Sequence, residues 1–193
     1  MLWLTRKAWK FEDSPVLVAM AGLPGTGKSS LARSIAAALG GVVLDKDVVR
    51  SALFPPPALD YTSAQDDASM AAIYRAAALI RTTSPQITVI IDGRTFSRAY
   101  QIADLLAVAE SLGEAVRIVE CVCSDEVARQ RLEHAIATGD HPAKNRTYAL
   151  YLEVKARANP LTVPRLVVDT GALSANECLA RALAYLRQTD PSS

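Results

Sequence analysis

The sequence predicts an α/β fold, a parallel sheet covered by helices on both faces. Three observations lead there. Short apolar runs alternate with longer helix-forming stretches along the chain. The runs are continuously apolar, as in strands buried on both sides. The first of them, Val16 to Ala21, leads into Gly22-Leu-Pro-Gly-Thr-Gly-Lys28-Ser29, which fits the phosphate-binding pattern G-x-x-x-x-G-K-[ST] without a mismatch.

In order, the first strand and loop run into Ser30 to Leu39, rich in strong helix formers and stopped by Gly40-Gly41. Gly41 to Leu44 is a second short strand ending at Asp45-Lys46-Asp47, where Asp47 is expected to cap a helix that Pro55-Pro-Pro57 stops. Ser63 or Thr62 caps an alanine-rich helix from about Ala64 to Arg81. Gln86 to Ile91 is a strand delivering Asp92-Gly93, and a helix follows from about Ser97 to Leu112. Ala115 to Cys123 is the fourth strand; Ser124 or Asp125 caps the helix running to about Thr138. Another helix spans about Tyr148 to Ala158, Arg165 to Asp169 is the fifth strand, and Asn176 to Arg187 closes the chain.

At 193 residues, half of them hydrophobic, the chain has the length and apolar content of one domain, expected over 15–189 with a frayed tail at 190–193. Lys and Arg number 21 against 20 for Asp and Glu. That balance offers no global basic field for nucleic acid and leaves only a local groove open to it. Three cysteines, Cys121, Cys123 and Cys178, suit reduced core thiols in a cytoplasmic protein. No apolar run approaches the ~20 residues that span a bilayer, so no membrane partner is expected. Residues 1–14 read as an arm packed on the domain through Trp3 and Trp9 rather than a targeting peptide. No residue pattern points to an oligomeric state.

The loop Gly22, Leu23, Pro24, Gly25, Thr26, Gly27, Lys28, Ser29 and on to Ser30 predicts a nucleotide site. Its glycines let several N–H groups converge as an anion nest, and the helix start adds its unpaired amides. Lys28 would reach the β- and γ-phosphates, and the Ser29 hydroxyl would sit on Mg²⁺. The remaining polar candidates end strands, where open α/β sheets bind ligands. Asp47 and Arg50 share a helix face: either a base and an acceptor-holding cation, or a cap and a solvated arginine. Asp92 is placed either to hold Mg²⁺ or as an ordinary strand-end aspartate. Arg94 and Arg98 are phosphate or acceptor contacts or surface charge, and Arg129 or Arg131 could face the nucleotide. Asp169 is expected to be structural, and His134 and His141 to be surface or capping residues. Thr138 to Arg146, with His141, Lys144 and Arg146, is either a cationic flap or a helix–helix turn.

The combination of Gly22–Ser29, Asp45-x-Asp47-x-x-Arg50, Asp92-Gly93 and the cationic flap resembles the small P-loop kinases, in particular the group containing polynucleotide kinase, chloramphenicol phosphotransferase, zeta-toxin-like kinases and adenylylsulfate kinase. The resemblance spans about Val16 to Arg187. It implies a three-layer fold whose five-stranded parallel sheet has the order 2-3-1-4-5, with a helical lid at about 138–147. It further implies ATP–Mg²⁺ as donor, Asp47 as base, Arg50 as acceptor contact and Arg146 stabilising the transferring phosphoryl. The expected reaction is γ-phosphoryl transfer to a hydroxyl of a small molecule or a nucleic-acid 5′ end. The alternative is a regulatory ATPase switch binding a protein partner. A GTPase is disfavoured, because no guanine-reading Asn-Lys-x-Asp stretch appears.

Overall fold

The computed structural model describes residues 15–139 and 147–188. The expected arm, the tail and most of the expected lid, with His141, Lys144 and Arg146, lie outside the described residues.

The most apolar strand takes the centre. In β1 (Leu17–Ala21) every residue is fully buried, and each large side chain so buried is worth about 1.5–3 kcal/mol. It lies between β3 (Val89–Asp92) and β4 (Val116–Val122), with β2 (Val42–Asp45) and β5 (Leu166–Asp169) at the edges. All pairings are parallel and the order is β2-β3-β1-β4-β5, as the resemblance implied.

Alternate side chains of β1 point to opposite faces and so define two cores. Leu17, Ala19 and Ala21 pack against Met70, Ile73 and Ala77 of α3 (Ser63–Thr83) and Leu105 of α4 (Ala99–Leu112). Val18 and Met20 pack against Leu31 and Ile35 of α1 (Lys28–Leu39) and Cys178 and Ala182 of α7 (Ala175–Leu186). A smaller cluster joins α5 (Asp125–Thr138) to α6 (Tyr148–Ala156) through Leu132 and Tyr151. Cys121 and Cys178 are buried core thiols, whereas Cys123 is half-buried beside that cluster; all three are free.

Two local expectations change. The helix after β2 is α2 (Lys46–Leu53), and its cap is Asp45, not Asp47. Asp45 leaves the strand still extended, and its carboxylate accepts from the amides of Asp47 (2.8 Å) and Val48 (3.4 Å). Asp47 therefore belongs to the first turn, its side chain released from capping. Continuous burial holds for β1 and β3 but loosens in the outer strands. There Glu120 of β4 survives by pairing with Arg165 at 2.5 Å.

The two ends of the sheet differ. At the N-terminal end, buried Arg81 is fully engaged with Glu114 and the carbonyls of Pro15, Pro85 and Ile87. At the C-terminal end, register sets Asp45 beside Asp92, and the buried Asp92 carboxylate has no hydrogen-bond partner among the described residues. No described helix is long and apolar enough to cross a membrane.

Candidate active site

The loop between β1 and α1 is shaped by backbone it cannot avoid. Gly22 has φ +127°, and a Cβ there would run into the carbonyl oxygen of Cys121. Gly27, the residue before α1, sits left-handed at φ +82°, and no side chain caps the helix. The first amides of α1 are thus left to an anion. The Leu23 carbonyl draws the loop together, accepting from Thr26 Oγ1 at 2.8 Å and Lys28 Nζ at 2.7 Å.

A second tie reaches the loop from across the sheet. The Thr170 hydroxyl donates to the Thr26 carbonyl at 2.9 Å and accepts from Arg131 Nη1 at 2.9 Å. Arg131 also donates to the Thr170 carbonyl at 2.8 Å. Of the two arginines that could face the nucleotide, Arg131 is the one on the loop; Arg129 pairs with Glu133 at the surface. Asp169 is structural as expected, accepting from the amides of Gly171 and Ala172. Exposed His134 lies in the last turns of α5.

Two clefts open from this loop. One, of about 640 Å³, is lined by Gly25, Gly27, Ser30, Asp45, Arg131 and Thr170. The other, of about 620 Å³, lies between α2, the start of α3, the loop after β3 and α6. It contains Pro24, Asp47, Arg50, Arg94 and Arg98. Lys28 and Ser29 line both. Gly22, Leu23 and Thr26 instead face a third cavity of about 310 Å³ behind the loop, so their part in the motif is to shape it.

Asp47 and Arg50 do meet, with Arg50 Nη1 3.3 Å from the Asp47 carboxylate. Arg50 is only 4% exposed and is also paired with Asp66 and stacked at 5.3 Å on Tyr61. The solvated-arginine alternative is thereby excluded. Tyr61 itself holds a left-handed backbone at φ +56°, a strained conformation for a side chain of this size. Arg94 is likewise buried, donating to Asp67 at 2.5 Å and stacking on Tyr100 at 5.4 Å. Tyr61, Asp66, Asp67, Tyr100, Thr170 and Arg157 were not singled out by the sequence. They carry no motif, and only folding brings them to the loop.

The buried side-chain atoms without a hydrogen-bond partner among the described residues are Arg50 Nε, Tyr74 Oη, Arg94 Nε and both carboxylate oxygens of Asp92. Asp92 is completely buried. A carboxylate so placed is desolvated with no hydrogen-bond partner among the described residues, and a divalent cation would offset that cost. The unpartnered Asp92 carboxylate therefore fits a divalent cation such as Mg²⁺. The same crowding acts on Asp45, whose carboxyl is raised above its ordinary range by burial, then by the charges of Asp92 and Asp47. Burial also pushes the Tyr74 phenol up to about 12.

The flanks of the expected lid are described. Gly139 ends α5 in a left-handed conformation, and the Thr147 hydroxyl caps α6 by accepting from Leu150 N at 3.1 Å.

Sheet order, loop and strand-end carboxylates together define the P-loop kinase fold, with a nucleotide-binding loop. Residues 17–161 match the AAA domain family, and the chain belongs to that family. No curated protein matches it. Among solved structures it is similar to a Chloroflexus aurantiacus protein assigned as a kinase, at TM-score 0.71 and 23% identity over 89% of this chain and 98% of that one. A gluconokinase from Sinorhizobium meliloti follows at TM-score 0.65 and 21% identity, over 90% and 92%. The Mycobacterium tuberculosis APS kinase, solved with AMPPNP and APS, gives 0.65 and 19% over 91% and 99%. At these identities the likeness is one of fold.

Proposed function

We propose that the chain is an ATP-dependent kinase that transfers the γ-phosphoryl to a hydroxyl of a small molecule or a nucleic-acid 5′ end. One observation carries the reading: two clefts of similar size meet at Lys28 and Ser29, and Asp47 stands in the second. A slow switch needs only the first. A cleft of about 620 Å³ lies within the range of small-molecule sites, and the kinase names among the structural neighbours agree with it.

In this reading ATP enters the first cleft, its phosphates on the amides of Gly25 to Ser30 and its far end between Arg131 and the Thr170 loop. Lys28 exchanges the Leu23 carbonyl for phosphate oxygens. Ser29 and Asp92 would hold Mg²⁺, which would neutralise phosphate charge when bound. Asp47 accepts the proton of the acceptor hydroxyl. That oxygen bonds to the γ-phosphorus while the bond from phosphorus to the β–γ bridging oxygen breaks, and ADP leaves. Arg50, fixed by Asp47, Asp66 and Tyr61, holds the acceptor, and we assign to Arg146 the charge of the transferring group.

The test is ADP release from ATP–Mg²⁺ with and without pooled sugars, nucleosides, antibiotics and 5′-hydroxyl oligonucleotides, with Lys28→Ala as blank. Strong stimulation by one pool is the expected result. A slow rate indifferent to every pool would reject the kinase reading.

A further inference from the structure

The acceptor cleft holds more positive charge than phosphoryl transfer draws on. Lys28 serves the nucleotide side. Beyond it the cleft is lined by five cations, Lys46, Arg50, Arg94, Arg98 and Arg157. Against them stand four carboxylates, Asp47 and Asp66 in the lining, Asp67 behind Arg94 and Glu153 paired with Arg157, leaving one positive charge in excess before Lys28 is counted. Arg94, Arg98 and Arg157 do not border the nucleotide cleft.

Arg94 is the most informative of these. It is 4% exposed, and its Nη2 is spent on Asp67 (2.5 Å) and the Tyr100 hydroxyl (3.2 Å). Its Nε is buried without a hydrogen-bond partner, and its Nη1 makes no hydrogen bond among the described residues. A guanidinium taken this far from water and half satisfied is an anion receptor in waiting, since charge-assisted bonds to a carboxylate or phosphate are the strong ones. It is also held in place. Asp66 and Asp67, consecutive in the first turns of α3, each grip one arginine of the cleft, Arg50 and Arg94. A neutral acceptor would leave the remaining positive charge and the unpartnered Arg94 Nε without an anion.

We propose that the acceptor is an anionic hydroxyl compound, bearing a carboxylate, phosphate or sulfate that Arg94 binds with Arg98 and Arg157 beside it, while the hydroxyl faces Asp47. Asp66 and Asp67 are positioning residues for the two buried arginines. The hydroxyl in this statement rests on the kinase reading; the anion does not.

The experiment fills the nucleotide side with AMP-PNP–Mg²⁺ and titrates inorganic sulfate against chloride at constant ionic strength, reading the melting temperature. The wild type should show a saturable rise. Arg94→Gln should weaken half-saturation by about tenfold or more, the loss of one charge-assisted contact. Arg98→Gln, at an exposed position where folding is not at stake, should weaken it by a smaller factor. Arg75→Gln, an exposed arginine outside both clefts, controls for net charge and should change nothing. No saturable effect, or equal sulfate affinity in the wild type and both cleft variants, would overturn the proposal. A second arm compares ADP release with matched pairs: aldonate against aldose, hydroxy acid against its amide, nucleoside monophosphate against nucleoside. Stimulation by the anionic members supports the proposal. A neutral member as effective as its anionic partner keeps the kinase and rejects the anion. Saturable sulfate binding with no stimulated turnover keeps the anion site and rejects the kinase.

Discussion

The nucleotide-side and acceptor-side clefts share Lys28 and Ser29, yet they are made differently. The phosphate-facing part of the first is backbone. Its anion nest comes from one contiguous loop, and the rest of the chain adds a brace through Thr170 and Arg131. The second is made of side chains from α2, α3, the loop after β3 and α6, locked by ion pairs between elements. A backbone nest tolerates change in what surrounds it but not in its glycines. A side-chain cleft can be rebuilt for another ligand one residue at a time.

The largest expected effects lie where the two clefts meet. Lys28→Ala removes the one cation among the described residues that faces both, and acceptor-stimulated ADP release should fall by at least about 10³-fold. Asp47→Asn is the sharper cut, because Asp47 borders only the acceptor side. ATP affinity, measured by titration calorimetry, should stay within about twofold, while transfer falls by about 10²–10³-fold as expected for loss of a general base. Transfer near the wild-type rate would remove Asp47 from the mechanism and with it the division of labour between the clefts.

The backbone nature of the first cleft is tested by glycine. Gly22→Ala meets the Cys121 carbonyl and a positive φ together, a cost of about 2–4 kcal/mol. Gly113→Ala has the same sign of φ, +65°, with open space around it, and should cost about 1 kcal/mol. Denaturant melts of both variants compare them directly; equal losses would mean that close packing under the loop contributes nothing.

The same contrast explains what the sequence made legible. The loop from Gly22 to Ser30 could be read because its chemistry is local, and the central strands could be read because full burial writes itself as an apolar run. Sheet order came through the family resemblance, since spacing alone does not say which strand lies beside which. The acceptor cleft was only half visible. Asp47 and Arg50 are three residues apart, so their meeting follows from helical spacing. Tyr61, Asp66 and Arg157 reach the same cleft from distant segments, and the Pro55–Tyr61 loop carries no pattern that announces a pocket wall. The cap went to the wrong aspartate because Asp45 and Asp47 are chemically alike. Only the extended backbone at Asp45, φ −93° and ψ 121°, decides between them.

The smallest effect expected is also the one that joins the clefts electrostatically. Asp45 lines the first cleft and Asp47 the second, with Asp92 buried beside Asp45. Burial first, then the charges of Asp92 and Asp47, raise the Asp45 carboxyl above its reference value of 3.8. The folded protein therefore holds this proton more tightly than the unfolded chain. A raised carboxyl is stabilising only while protonated, so its contribution is best at low pH and is lost as pH rises from about 4 through the folded value. Asp45→Asn keeps a capping oxygen and removes the charge. Relative to wild type, the variant's melting temperature should climb over that interval and then stay level to neutral pH. Added Mg²⁺ should shrink the difference, because a cation among these carboxylates relieves the same repulsion in the wild type. A pH-independent difference would mean that the carboxylates do not feel one another, and the two clefts would then be joined only through Lys28 and Ser29.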